Sequence, residues 1–154
     1  MKSNKVALTA VFLWVVTIAV FAWFFIRGNT VAGTDSRTAV VLGAEERNLI
    51  LAEMRGLLAG THDILEGINH NDLKQVAQAA RSIGMESAAD VKPVLMAKLP
   101  MPFKQQGMSV HHAMDDLAQA AESGKPTQEL QAMLTDTLSK CVACHASWQI
   151  KANQ

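Results

Sequence analysis

Apolar residues fill positions Val6 to Ile26 without a single charge, and only Thr9 and Thr17 interrupt the run. At 1.5 Å per residue this stretch reaches roughly 30 Å, the depth of a bilayer's hydrocarbon core. Lys2 and Lys5 precede it, and Trp23, Phe24 and Phe25 stand near its far end, as in an interfacial aromatic belt. A cleaved signal peptide is the competing expectation, but apolar regions of signals run only about 7–15 residues. Thr30-Val31-Ala32 is a poor approximation to a cleavage site. The pattern predicts an uncleaved anchor over residues 1–27. A segment short on periodicity follows over 28–43, with Gly28, Gly33, Asp35, Ser36 and Gly43, and predicts a tether. Its one apolar patch, Ala39 to Leu42, is placed to pack as the chain enters a domain spanning 44–154.

From Ala44 the spacing becomes helical. Ile50, Met54, Leu57, Thr61, Ile64 or Leu65, and Ile68 recur at three- and four-residue steps, with Glu45 and Glu46 in the first turn. A second helix is predicted over about Asp72 to Ile83, with Leu73, Val76, Ala80 and Ile83 inward and Gly84 as its stop. Met85 to Pro102 carries three prolines and reads mainly as a connection, with a short helix around Glu86 to Val91. A third helix runs from about Phe103 to Glu122 on the stripe Phe103, Val110, Met114, Leu117 and Ala121. Pro126 opens the fourth, where Leu130, Leu134, Leu138, Cys141, His145 and Trp148 share a face. Such amphipathic helices, joined mostly by short links, predict an all-α fold: an antiparallel four-helix bundle behind one transmembrane helix.

Composition narrows the function. Fourteen basic residues balance fourteen acidic ones, which argues against a nucleic-acid binder. Two of the three Trp and four of the five Phe lie in the first 26 residues, leaving the remainder rich in Ala, Leu and Met.

The chemistry concentrates at Cys141-Val142-Ala143-Cys144-His145, the C-x-x-C-H spacing of covalent haem attachment. Two thiols can add across the vinyl groups of a haem, and the adjoining histidine can supply an axial nitrogen to its iron. Zinc would want four ligands, and Cys141, Cys144 and His145 are too crowded to give three of them. A thioredoxin-like pair usually opens a helix after a strand, and no strand pattern precedes this one. The motif's two cysteines are the chain's full complement, so no second pair exists for a disulfide framework.

Four amphipathic helices with C-x-x-C-H in the last, close to the C-terminus, resemble the cytochrome c-prime family over about Ala44 to Lys151. The resemblance implies one covalent haem c on Cys141 and Cys144, with His145 as proximal iron ligand. It also implies either a Met from the first bundle helix at the sixth position or an open site that takes small gases. Met54 stands where such a ligand would lie. The family often shows an Arg one turn before that Met; here Ile50 occupies the place, and the nearest preceding Arg is Arg47.

Bundle geometry gives the same residue independently. In an up-down-up-down arrangement Met54 lies roughly 15 Å from one helix end and His145 roughly 9 Å from the adjoining one, so a haem plane can bridge them. His62 sits roughly 12 Å further along and His70 at the far end. His111 and His112 are the rival ligands, because the third helix begins at the same end as the first.

Function follows as three expectations. A six-coordinate haem serves an electron carrier, with redox partner proteins of a respiratory chain, an inner-membrane anchor and a linker that lets the domain swing. A vacant sixth position serves a gas binder for NO or CO. A peroxidase-like enzyme would need a distal acid–base group, which the stretch around Ile50, Leu51, Met54, Leu57 and Leu58 does not offer. Haem attachment in this family implies a periplasmic domain on a bacterial single-pass anchor, and a second copy of the chain is a candidate partner.

Overall fold

The computed structural model describes residues 2–88 and 91–153, and it is mostly helical. Helix α1, Lys2–Arg27, contains a stretch long and apolar enough to cross a membrane. Then come strands β1 (Thr30–Ala32) and β2 (Thr38–Leu42), helices α2 (Ala44–Asn69) and α3 (Leu73–Ser82), and a 3-10 turn at Met85–Ala88. Helices α4 (Pro93–Lys98), α5 (Met101–Glu122) and α6 (Thr127–Ser147) follow, and strand β3 (Trp148–Ala152) ends the described chain.

Local chemistry sets the helix boundaries. The Gly43 N–H donates to the Glu46 carboxylate at 2.9 Å, satisfying a donor at the start of α2. Asn71, at φ 58°, turns the chain out of α2, and the Asp72 side chain then accepts from the Gln75 N–H at 2.9 Å to start α3. Helices α2 and α3, α3 and α5, and α5 and α6 pack against each other in chain order, while α2 and α6 touch far less. Ile64, Val76, Ala80, Met114, Leu117, Leu130 and Leu134 form the main core. Of the two candidates in α2, Ile64 is inside and Leu65 is exposed.

The ends of the body depart from expectation. Residues 28–43, read as a tether, hold two strands. β1 pairs antiparallel with β2, Thr30 opposite Val40, and β2 pairs parallel with β3 from Thr38 opposite Trp148 to Leu42 opposite Ala152. A short three-stranded sheet therefore supplements the all-α expectation. Trp148, expected on the face of the last helix, takes extended geometry and opens β3. In the connection before α5, Pro93 starts the short helix α4 because its fixed φ suits a first turn. The helix expected over Glu86 to Val91 is reduced to the 3-10 turn, with Ala89 and Asp90 outside the described residues. Beneath the sheet, Val40, Leu42, Ile50, Leu95 and Leu99 form a second core, with Phe103, Trp148 and Ile150 packed against it.

Nor is α1 joined loosely to the rest. The Asn29 N–H donates to the Lys98 carbonyl at 2.7 Å, and Asn29 Nδ2 donates to the Val41 carbonyl at 2.8 Å. The Lys104 ammonium donates to the Phe25 and Met96 carbonyls at 3.3 and 3.2 Å and sits 3.6 Å from the Phe25 ring centre. These bonds replace the swinging linker with a fixed junction.

Leu134 is fully enclosed and Leu58 is exposed, so truncation separates them. Leu134→Ala should cost about 2–5 kcal/mol, whereas Leu58→Ala should stay within about 0.5 kcal/mol. Urea titration of the full chain in detergent, followed by circular dichroism, measures both.

Candidate functional site

The scarcity of contact between α2 and α6 leaves a cavity where the two cores meet. It offers about 270 Å³ to the centres of water-sized molecules, and its walls are mostly apolar. Ile50, Met54 and Leu57 come from α2, Phe103 and Val110 from α5, Cys141, Cys144 and His145 from α6, and Trp148 and Ile150 from β3. Met54 and the three motif residues, 87 positions away at the nearest, thus share one cavity wall.

Helical spacing explains the motif's presentation. Cys141, Cys144 and His145 are three and four residues apart, which puts them on one side of α6. Both thiols are partly buried, and His145 is more open. Burial pushes both thiols above their ordinary range. They also sit near the helix's C-terminal end, whose partial negative charge disfavours a thiolate. Reactive thioredoxin-type pairs have depressed thiol values, so this environment does not suit disulfide exchange.

Several groups fix the end of α6. The Trp148 N–H closes the last turn on the Cys144 carbonyl, and its indole N–H donates to Gln106 Oε1 at 2.7 Å. Its ring meets Phe103 edge-on, with centres 5.8 Å apart. Arg37 Nη1 donates to the His145 and Trp148 carbonyls at 3.3 and 3.5 Å, while Asp35 holds the rest of the guanidinium. That Arg37 guanidinium lowers the Asp35 carboxyl below its usual range. Lys104 also lines the cavity, and burial lowers its ammonium from the ordinary lysine value.

The rival histidines separate clearly. His112 is exposed and outside the cavity lining. His111 is buried and lines it, but both ring nitrogens are engaged: Nδ1 donates to the Ile83 carbonyl at 2.9 Å and Nε2 to Glu53 Oε1 at 3.1 Å. Iron ligation by His111 would have to break one of those bonds. His62 lies in an exposed group with Asp63 and Glu66, and His70 is exposed just after α2.

The Glu53–His111 pair is the polar feature that periodicity did not reveal. Glu53 neighbours Met54, and His111 sits on the buried stripe between Val110 and Met114; a histidine on an apolar stripe is the available signal. Donation from both nitrogens requires the imidazolium form. The Glu53 carboxylate raises His111 above its ordinary 6.5, burial opposes it, and the Ile83 carbonyl adds to the rise.

This raised value stabilises the folded chain fully below the unfolded histidine value, about 6.5. The gain is lost as pH climbs through the folded value. Between pH 6 and pH 9 the urea midpoint of the full chain should therefore fall, and Glu53→Gln should flatten that fall. Equal slopes in the two proteins would remove the charged pair from the account.

Compared with protein-family models, with curated proteins and with solved structures, the chain matches none.

Proposed function

We propose that this chain is a monohaem c-type cytochrome: an antiparallel four-helix bundle held in the periplasm by α1 in a bacterial inner membrane. Its role is to carry electrons between redox partner proteins of a respiratory chain. The observation that carries the reading is the convergence of Cys141, Cys144, His145 and Met54 on one largely apolar cavity. The donor set fits haem c. Two thiols, an imidazole and a thioether face a space whose remaining wall is mostly hydrocarbon, with Arg37 and Lys104 as positive charge for a ligand's carboxylates.

A haem in that cavity supplies an iron that gains and loses one electron without releasing its ligands. The chain's own residues do the rest. Cys141 and Cys144, whose thiols burial raises above their ordinary range, would hold a haem through two thioether bonds, and such thiol addition to a vinyl group would need no oxidant. His145, in the last turn of α6, would supply an imidazole nitrogen to the iron, and the Arg37 and Trp148 bonds hold that turn in place. Met54 gives a thioether, a soft ligand of the kind that raises potential in c-type cytochromes. Ile50, Leu57, Val110 and Trp148 limit access of water.

A second reading, a gas-binding protein of the NO or CO class, is favoured by the Glu53–His111 pair. It places hydrogen-bonding groups beside Met54, where the α2 stretch Ile50, Leu51, Met54, Leu57 and Leu58 was expected to offer none. The two readings part at Met54.

Acid–acetone extraction should leave the cofactor on the wild-type chain and remove it from the Cys141→Ala, Cys144→Ala double variant. Retention by that variant would defeat covalent attachment. Wild type should be low-spin in both redox states and resist carbon monoxide, while Met54→Ala should become high-spin and bind it. A wild type already high-spin would favour the gas binder, and a low-spin spectrum surviving Met54→Ala would move the sixth ligand to a histidine.

A further inference from the structure

The junction between α1 and the body fixes what lies beside the membrane. Gly28, at φ 61°, is pressed against the α4–α5 connection: a Cβ there would fall 2.6 Å from the Lys98 oxygen and 2.7 Å from the Leu99 carbonyl carbon. The Asn29 N–H bonds the same Lys98 carbonyl, and Lys104 reaches back to the Phe25 carbonyl from the first turns of α5. The exit of α1 is therefore bonded directly to the end of α4.

Helix α4 is six residues long, so no part of it lies more than about 9 Å along its axis from that contact. Leu95 and Leu99 face the second core, while Pro93, Val94 and Ala97 face outward, Val94 at 67% exposure. Val94, Ala97 and Lys98 are three and four residues apart and share a side of the helix. Val31, 45% exposed, lies four residues beyond the end of α1. From Val91 to Met114 the sequence holds Lys92, Lys98 and Lys104 and no acidic residue. Lys98 is paired with the Glu46 carboxylate at 2.6 Å and Lys104 is buried, so the face offers a phospholipid headgroup layer the exposed Pro93, Val94 and Ala97 with the exposed Lys92 at its edge. That layer adds roughly 5–8 Å on each side of the hydrocarbon, within reach of α4 from the α1 exit.

We propose that the outward face of α4, centred on Val94, rests in the lipid headgroup layer and holds the cavity end of the body against the bilayer. This rests on reading α1 as a membrane-spanning helix. Met96, Leu99 and Lys104 belong both to the junction region and to the cavity wall, so the cavity opens close to the membrane surface.

The test uses the full chain in phospholipid nanodiscs with a photoreactive benzophenone amino acid at one position at a time. In place of Val94 it should yield phospholipid adducts by mass spectrometry, as it should in place of Phe12 within α1. In place of Gln78, exposed on α3, it should yield none. Gly28→Ala, forcing a side chain into a left-handed position against backbone, should lower the adduct yield at 94 by about threefold or more and spare position 12. Adducts at 12 without adducts at 94 would overturn the proposal and leave the anchor standing. Absence at 12 would overturn the membrane reading beneath it. Protein adducts in place of lipid at 94, lipid adducts at 78, or a yield at 94 unmoved by Gly28→Ala would each overturn the docked orientation.

Discussion

Where α6 stops determines whether the two cores can face each other across a cavity. Its apolar stripe, Leu130 and Leu134, belongs to the main core, while the residue that ends it, Trp148, packs with the second. Trp148 is held on three sides: by Gln106 through its indole N–H, by the edge-on ring of Phe103, and by Arg37 through its carbonyl. One more helical turn would carry Ile150 out of register with β2 and take away the sheet that closes the cavity from below. The motif cysteines gain their environment from this stop. They lie within the last two turns, deep enough for desolvation to act and near enough to the end to leave His145 accessible.

The helices were legible because burial imposes a period. α2, α3, α5 and α6 lie within a few residues of their expected limits, and most stripe residues named from spacing are buried. Leu138 and Val142 are exposed although α6 is amphipathic in sequence, since α2 leaves that side of the helix largely uncovered. Periodicity fails for short elements. β2 reads Thr38-Ala39-Val40-Val41-Leu42, a nearly all-apolar run, and one of its two pairings is with residues more than a hundred positions away. β3 is five residues long and follows a helix directly, so nothing local separates it from one more turn. The cysteines and His145 were legible as chemistry, and Met54 as a position on a stripe. Glu53–His111 was not, because pairing depends on two helix faces meeting.

That pair shows how an apolar cavity carries charge. When His111 is charged, burial costs both it and Glu53 solvation, which geometry offsets through the Ile83 carbonyl on one nitrogen and Glu53 on the other. Nearby, Asp115 accepts from the Met85 N–H at 3.1 Å, so the 3-10 turn and α5 are tied at adjoining levels. Away from the cavity the helices are joined both by the main hydrocarbon core and by surface polar bonds, Arg81 to Glu122 and Gln75 to Glu66.

The parallel pairing of β2 with β3 has a consequence in time as well as space. Thr38 is synthesised well before its partner Trp148, which lies 110 positions later in the chain. Loop closure over so long a stretch is entropically slow, and during synthesis it cannot begin until β3 has emerged. Helices α2, α3 and α5 can pack against each other before that moment. The motif at 141–145 is therefore delivered after those helices, and the strand that pairs with β2 beneath it arrives later still. Any group that must enter between α2 and α6 meets a wider opening before β3 pairs than after it.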